Sequence, residues 1–145
     1  MLPRRHRVTV ASDFRAVTRA GGRAGGSCVV ISARLADRPN HPGDPAPGVG
    51  PDAAAWRCGF IVSKAVGNSV VRHRTQRRLR HIIWDIMREG SVEVPEGARL
   101  DVVVRALPAA VEAAHDELIS EVRSTLLRAV RKARRRRREG EPDAG

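Results

Sequence analysis

The sequence is short of acids, aromatics and cysteine. Asp and Glu number 16 against 27 Lys and Arg, a formal net charge of +11. A small protein with that imbalance meets a polyanion, and nucleic acid is the first expectation. Codon bias explains a choice of Arg over Lys but not an excess over acids. All but Lys64 and Lys132 of the 27 are Arg, whose planar fork matches phosphate bidentately. Tyr is absent and aromatics make up 3% of residues, which argues against a broad base-stacking sheet. Cys28 and Cys58 form no CxxC and have no His at ligand spacing, so they read as buried apolar residues in a reducing compartment. No apolar run reaches the length of a membrane span. The first residues, MLPRRHRVTVAS, carry charge without an apolar stretch, so no signal peptide and a cytoplasmic location are expected.

At 145 residues the chain suits one domain with a real core. Ser12 to Ala20 reads as a short helix, capped by Ser12, favoured by Asp13 and stopped at Gly21-Gly22. Ser27 to Ala33 and Trp56 to Ser63 read as strands, the second with Trp56, Cys58, Phe60 and Val62 on one face. Between them residues 37–55 hold five Pro and three Gly, a mobile loop by composition. Val94 to Gly97 is a turn and Leu100 to Ala106 a third strand. After Pro108 a last helix is expected from Ala109 to about Lys132, with Val111, Leu118, Val122, Leu126 and Val130 at helical spacing. The order implies an α/β sandwich of helices on a small sheet.

The stretch KAVGNSVVRHRTQRRLRHIIWD, Lys64 to Asp85, carries six Lys or Arg and two His before its first acid. From Ser69 to Glu89 it has helical period. Val71, Thr75, Leu79, Ile82 and Ile86 form one stripe. His73, Arg77, Arg80, His81 and Trp84 lie opposite, with Arg72, Arg74 and Arg78 on the flanks. A solvated charged face normally mixes signs to gain i,i+4 pairs, and this one does not. A helix anchored on one side and cationic on the other holds guanidinium groups in a fixed array, which a tail cannot do. Gly67 allows a tight turn into it, and Asn68 or Ser69 caps it. Trp84 either stacks on a base or packs against another element, with packing the expectation. The second basic run, RKARRRRRE from Arg131 to Glu139, continues the last helix or frays from it. Its five consecutive Arg residues cover all sides, which suits non-specific attraction. No Gly-rich phosphate loop, HExxH motif, metal set or convincing nucleophile and base is present in the sequence.

The run FIVSKAVGNSVVRHRTQRRLR, Phe60 to Arg80, resembles the protein component of bacterial ribonuclease P. That family carries a strand ending in a Ser-Lys-Lys-(Val/Ile)-Gly-Asn pattern and then a helix opening with Arg-Asn-Arg. Ser63, Lys64, Gly67, Asn68, Val70, Arg72, Arg74, Arg77 and Arg80 match it. DFRAV (Asp13 to Val17) with Gly21, and DVVVRALP (Asp101 to Pro108), resemble two further family segments, so the likeness runs from about Arg4 to Val130. The resemblance implies an α+β sandwich, a small mixed sheet packed by helices, with a left-handed β-α-β crossover through the basic helix. Physics alone would favour a right-handed one.

It implies a domain over residues 1–130 and a flexible Arg-rich tail over 131–145. It implies a protein subunit that binds a catalytic RNA and the 5′ leader of precursor tRNA, with Mg²⁺ held mainly by the RNA and the catalytic centre in the RNA. No membrane or DNA partner is expected. Lys64, Asn68, Arg72, His73, Arg74, Arg77, Arg78 and Arg80 are the implied RNA contacts, and Phe14 and Arg15 the implied leader contacts. Ala65, His73 and Gln76 depart from the family pattern. Thr18 and Ile31 stand where members often carry cleft aromatics, which weakens the stacking part of the implication. Two other readings of the residues are a basic ribosomal or ribosome-assembly protein, and a DNA-binding helix in a major groove.

Overall fold

A computed structural model describes residues 6–8, 11–37 and 55–140. Its elements are helix α1 (Ala11–Ala20), strands β1 (Gly22–Gly25), β2 (Val29–Asp37) and β3 (Trp56–Ile61), helix α2 (Ser69–Glu89), strand β4 (Ala98–Ala106), a 3₁₀ turn at Pro108–Ala110, and helix α3 (His115–Gly140). The strands form one mixed four-stranded sheet in the order β1-β2-β4-β3. β2 runs antiparallel to both neighbours, while β3 lies parallel to β4 with Cys58 opposite Val102. The crossover between those parallel neighbours is α2. Arg7 adds a short parallel bridge to Cys58 on the outer edge.

Side-chain alternation divides the sheet into two faces. Val29, Ile31, Ala33, Leu35, Cys58, Leu100, Val102 and Val104 point to the main core with Leu79, Ile83 and Ile86 of α2 and Leu118, Val122 and Leu126 of α3. The opposite face carries Gly59, Val103 and Ser32, and α1 sits there. A Cβ on Gly59 would stand 2.5 Å from the Phe14 ring and 3.1 Å from Val8. Val8, Val17 and Val103 are buried outside the main core and form a second, smaller one. The same face holds Asp101, almost fully buried, which accepts two 3.0 Å hydrogen bonds from Arg57 and one of 3.2 Å from Arg99.

The expected helices and three strands are present, with five differences. β1 was not expected, because GRAG has no apolar alternation; its register with Gly22 opposite Ala33 comes from β2 and from close docking of α3. β2 continues to Asp37, so the expected Pro-rich loop lies, apart from its end residues, outside the described residues. α3 starts at His115 rather than Ala109, since Pro108 opens a 3₁₀ turn first. It also runs on through the Arg block to Gly140, so residues 131–140 are helical and only 141–145 lie outside the described residues. α1 begins at Ala11, one residue before the expected Ser12 cap.

Glu121 ties α3 to the β1–β2 connection. Its carboxylate accepts hydrogen bonds from the Ser27 hydroxyl (2.6 Å) and from the backbone N–H groups of Ser27 (3.0 Å), Cys28 (2.6 Å) and Val29 (3.1 Å). Partial burial pushes its pKa up, but those four donors outweigh it, and the net result lies below the ordinary 4.5. The stabilisation is therefore complete above the unfolded carboxylate's pKa and fades as pH falls through the lower folded value. Glu121→Gln is expected to cost about 1–3 kcal/mol at pH 7, and the gap to the parent should close in urea melts repeated toward pH 3. A gap that stays constant with pH would contradict the charge-based account.

Candidate nucleic-acid interface

α2 is built as the spacing predicts. Asn68, in extended conformation, caps it by accepting a 3.0 Å hydrogen bond from Val71 N–H through Oδ1. Gly67 precedes it at φ +156°, where a Cβ would stand 2.9 Å from the Val71 side chain. Thr75, Leu79, Ile82, Ile83, Ile86 and Met87 are buried, and Val71 is half-buried against them. Lys64, His73, Arg74, Arg77 and His81 are exposed. No acid stands in the first turn.

The first half of α2 presents two open concavities. One, about 470 Å³, is lined by Ser69, Val70, His73, Arg74 and Arg77. The other, about 300 Å³, is lined by Phe60, Val62, Ser69, Arg72, His73 and Gln76. His73 borders both, so Arg72 and Arg74 address neighbouring hollows from either side of it. Val70 is 64% exposed, the single exposed large apolar side chain among the described residues. A valine surrounded by cations suits contact with a sugar or base edge beside bound phosphates. The aligned N–H groups of the helix start add positive potential there.

Three of the expected RNA contacts are placed differently from the others. Arg78 reaches across to α3's approach and donates to the carbonyls of Ala110 (3.2 Å) and Ala113 (3.0 Å). It therefore joins two elements of the protein. Arg80 was expected opposite the core stripe, yet it is half-buried, with its guanidinium carbon 6.0 Å from the centre of the Phe60 ring. Burial, and then the like charge of Arg7, push its pKa below the ordinary guanidinium range, though it stays a cation. The Nε atoms of Arg72 and Arg80 are buried without a hydrogen-bond partner, so both stems are fixed by packing. Asn68 spends its side-chain oxygen on the cap.

Trp84 packs, as expected, instead of standing free for a base. His6 stacks on Trp56 with centroids 4.0 Å apart, Trp84 closes the group at 6.0 Å from Trp56, and Arg88 lies over Trp84 at 5.5 Å. His6, ahead of α1 in the chain, covers this side of α2, which helical periodicity within residues 69–89 had no means to reveal.

On the other face, Phe14 is half-buried and Arg15 exposed. The Phe14 ring rests on the bare backbone of Gly59. Thr18 returns its hydroxyl to the Phe14 carbonyl at 3.0 Å. Ile31 is wholly buried in the main core, across the sheet from Phe14, so an aromatic at that position would not reach the α1 face. Arg105 is a residue the sequence reading missed. It is exposed, and it alternates with Val103 and Asp101 onto the α1 face. The period of two along β4 is the signal that places it.

Among the described residues no three His, Cys, Asp or Glu side chains come together to hold a metal ion. No helix there is long and apolar enough to cross a membrane.

A four-stranded mixed sheet with a parallel crossover through a helix cationic on its exposed side defines a small α/β protein. The family model "Ribonuclease P" matches residues 2–130. The chain is 42% identical over 132 residues to the "Ribonuclease P protein component" of Kocuria rhizophila, covering 91% of this chain and 98% of that one. It is 44% identical over 135 residues to that of Corynebacterium glutamicum, covering 90% and 96%. Among solved structures, the Staphylococcus aureus RNase P protein aligns with a TM-score of 0.59 at 18% identity, covering 83% of this chain and 92% of that one. The Thermotoga maritima RNase P protein aligns with a TM-score of 0.52 at 22% identity, covering 88% and 96%. The fold is shared with both. The chain belongs to the ribonuclease P protein component family.

Proposed function

We propose that this chain works within ribonuclease P by docking a large catalytic RNA on the first half of α2 and the single-stranded 5′ leader of precursor tRNA on the α1 face. The assembled complex removes the leader by Mg²⁺-dependent phosphodiester hydrolysis. The RNA supplies the catalytic centre and most of the Mg²⁺ ligands, and the protein alone does not cleave. The observation that carries this reading is the acid-free array of Arg72, His73, Arg74 and Arg77 on a helix whose other side is fixed in the core, with Lys64 exposed in the turn that leads into it. Chain isolated under native conditions should carry one structured RNA with leader-removing activity. Recovery with ribosomal particles instead would overturn the proposal.

Phe14 and Arg15, with Arg105, offer the leader an aromatic surface flanked by two exposed guanidinium groups. One stacked base contributes about 1–3 kcal/mol. Because Thr18 and Ile31 add no second aromatic, Phe14→Ala is expected to lower the preference for precursor over mature tRNA by less than tenfold, about 1.4 kcal/mol at most. The loss should be larger with long leaders than with one or two nucleotides. Affinity for the catalytic RNA should be unchanged. Matched binding titrations with a thermal melt check this, and an unaltered precursor preference in a stable variant would remove Phe14 from the leader site.

A further inference from the structure

We propose that the C-terminal half of α3 is a second RNA-docking ridge, taking the phosphates of an RNA segment distinct from the one met by α2. This rests on the RNA-binding reading above. Residues 122–138 contain nine Arg or Lys and no acid. Cations in the last turn are expected to complement the helix dipole, but that accounts for only the end of such a run. Like charges at i,i+4 repel, so a helix of this composition needs an anchor and gains from a polyanion.

The anchor is present. Leu126, Ala129, Val130 and Ala133 are buried against β1 and β2. The docking is so close that a Cβ on Gly22 would stand 2.5 Å from Lys132 Cβ and 2.6 Å from Ala133 N. Lys132 Nζ donates to the Arg23 carbonyl at 2.7 Å, and Arg134 donates to the Glu93 carbonyl. Helical geometry thereby sorts the five consecutive arginines, which the sequence alone spreads to all sides. Arg134 and Arg137 are half-buried toward the body, whereas Arg131, Arg135 and Arg138 are exposed. Those three recur at i, i+4 and i+7, a stripe about 10 Å long at 1.5 Å per residue. Beside it Gly21, Arg34, Leu35, Ala133, Arg136 and Arg137 line a hollow of about 170 Å³.

The ridge and the α2 array lie at opposite ends of the sheet. The short loop that leads into α2 leaves β3 at Ile61, which pairs with Arg105 at the end of β4. Ala133 and Arg137 adjoin Leu35, which pairs with Leu100 at the start of β4. One RNA meeting both must present two separate backbone segments. A membrane surface fits less well, because a helix lying on lipid inserts its apolar face, and that face of α3 is buried.

The test uses single introduced cysteines. Cys28 and Cys58 are buried, and burial raises both thiol pKa values, so a new surface thiol is labelled selectively. Full-length Arg135→Cys and His81→Cys are each given a hydroxyl-radical-generating iron chelate and bound to the catalytic RNA. The expected result is discrete cutting from each, in two different segments of that RNA. A companion variant, Arg131→Gln/Arg135→Gln/Arg138→Gln, should melt as the parent does and lower the salt slope of RNA binding by about 2. Uniform cutting from position 135, with discrete cutting from position 81, would overturn the ridge and leave the α2 reading standing. Uniform cutting from both would overturn both. An unchanged salt slope with lost binding to phosphatidylserine vesicles would assign the ridge to lipid and also overturn the proposal.

Discussion

Replacing Arg72, Arg74 and Arg77 together by alanine is expected to weaken binding of the catalytic RNA about a hundredfold at 0.15 M salt. Each phosphate contact contributes roughly 0.7–0.9 to the slope of log K against log salt, so three lost contacts lower it by about 2–3. Extrapolated from 1 M to 0.15 M salt, each contact corresponds to about a fivefold change. The variant should fold, because Arg74 and Arg77 are exposed and Arg72 sits at the rim of a hollow, while the buried stripe from Thr75 to Met87 is untouched. The comparison that matters is with Arg78→Ala. Arg78 donates to the Ala110 and Ala113 carbonyls, so its loss should lower the melting temperature and leave the salt slope nearly unchanged. Equal slopes in the triple variant and the parent would mean that RNA docks elsewhere.

Gly21→Ala should be the most destabilising small change outside the main core. A Cβ there would lie 2.3 Å from the Ala33 carbonyl oxygen and 2.5 Å from the Val17 carbonyl oxygen. Both are backbone atoms, so no side chain can swing aside. The Gly21 N–H also donates to the Val17 carbonyl at 3.0 Å, which ends α1 and turns the chain into β1. The substitution must separate α1 from β2, and a cost of about 3 kcal/mol or more is expected. Because α1 carries Phe14 and Arg15, precursor discrimination should fall with it, while docking of the catalytic RNA by folded molecules should survive. A melting temperature within a degree or two of the parent would show that the α1–sheet contact is looser than described.

How much of this was legible beforehand follows from where each signal lies. The buried stripe of α2 and the Asn68 cap depend on residues three or four apart, so the sequence displayed them directly. The exposed positions of His73, Arg74 and Arg77 followed from the same periodicity. The placements of Arg78 and Arg80 did not, because they depend on Ala110, Ala113 and Phe60, distant in sequence; Trp84 packs as expected, but its partners His6 and Trp56 are equally distant. β1 was invisible for a related reason, since its pairing is imposed by β2 and α3. Glu121 carries no local sequence signal of its own within α3. Its role appears only when Ser27, Cys28 and Val29 turn their N–H groups toward it. The Arg block looked directionless because a run of one residue type carries no period, and Ala133 and the sheet supply the direction. The ribonuclease P likeness was readable in Phe60 to Arg80, since that motif is contiguous. Ile31 shows the limit of carrying over family positions without a fold, because it lies in the core and not in the α1 cleft.

The central claim is that this chain supports leader removal while an RNA subunit performs it. The most direct measurement is single-turnover cleavage of a precursor tRNA at low Mg²⁺, with the protein alone, the catalytic RNA alone, and the two combined. The account predicts no cleavage by nuclease-treated protein, slow cleavage by RNA alone, and a large gain for the combination that is lost in the Arg72/Arg74/Arg77 variant. Cleavage by the RNA-free protein, or no gain on adding it to the RNA, would contradict it.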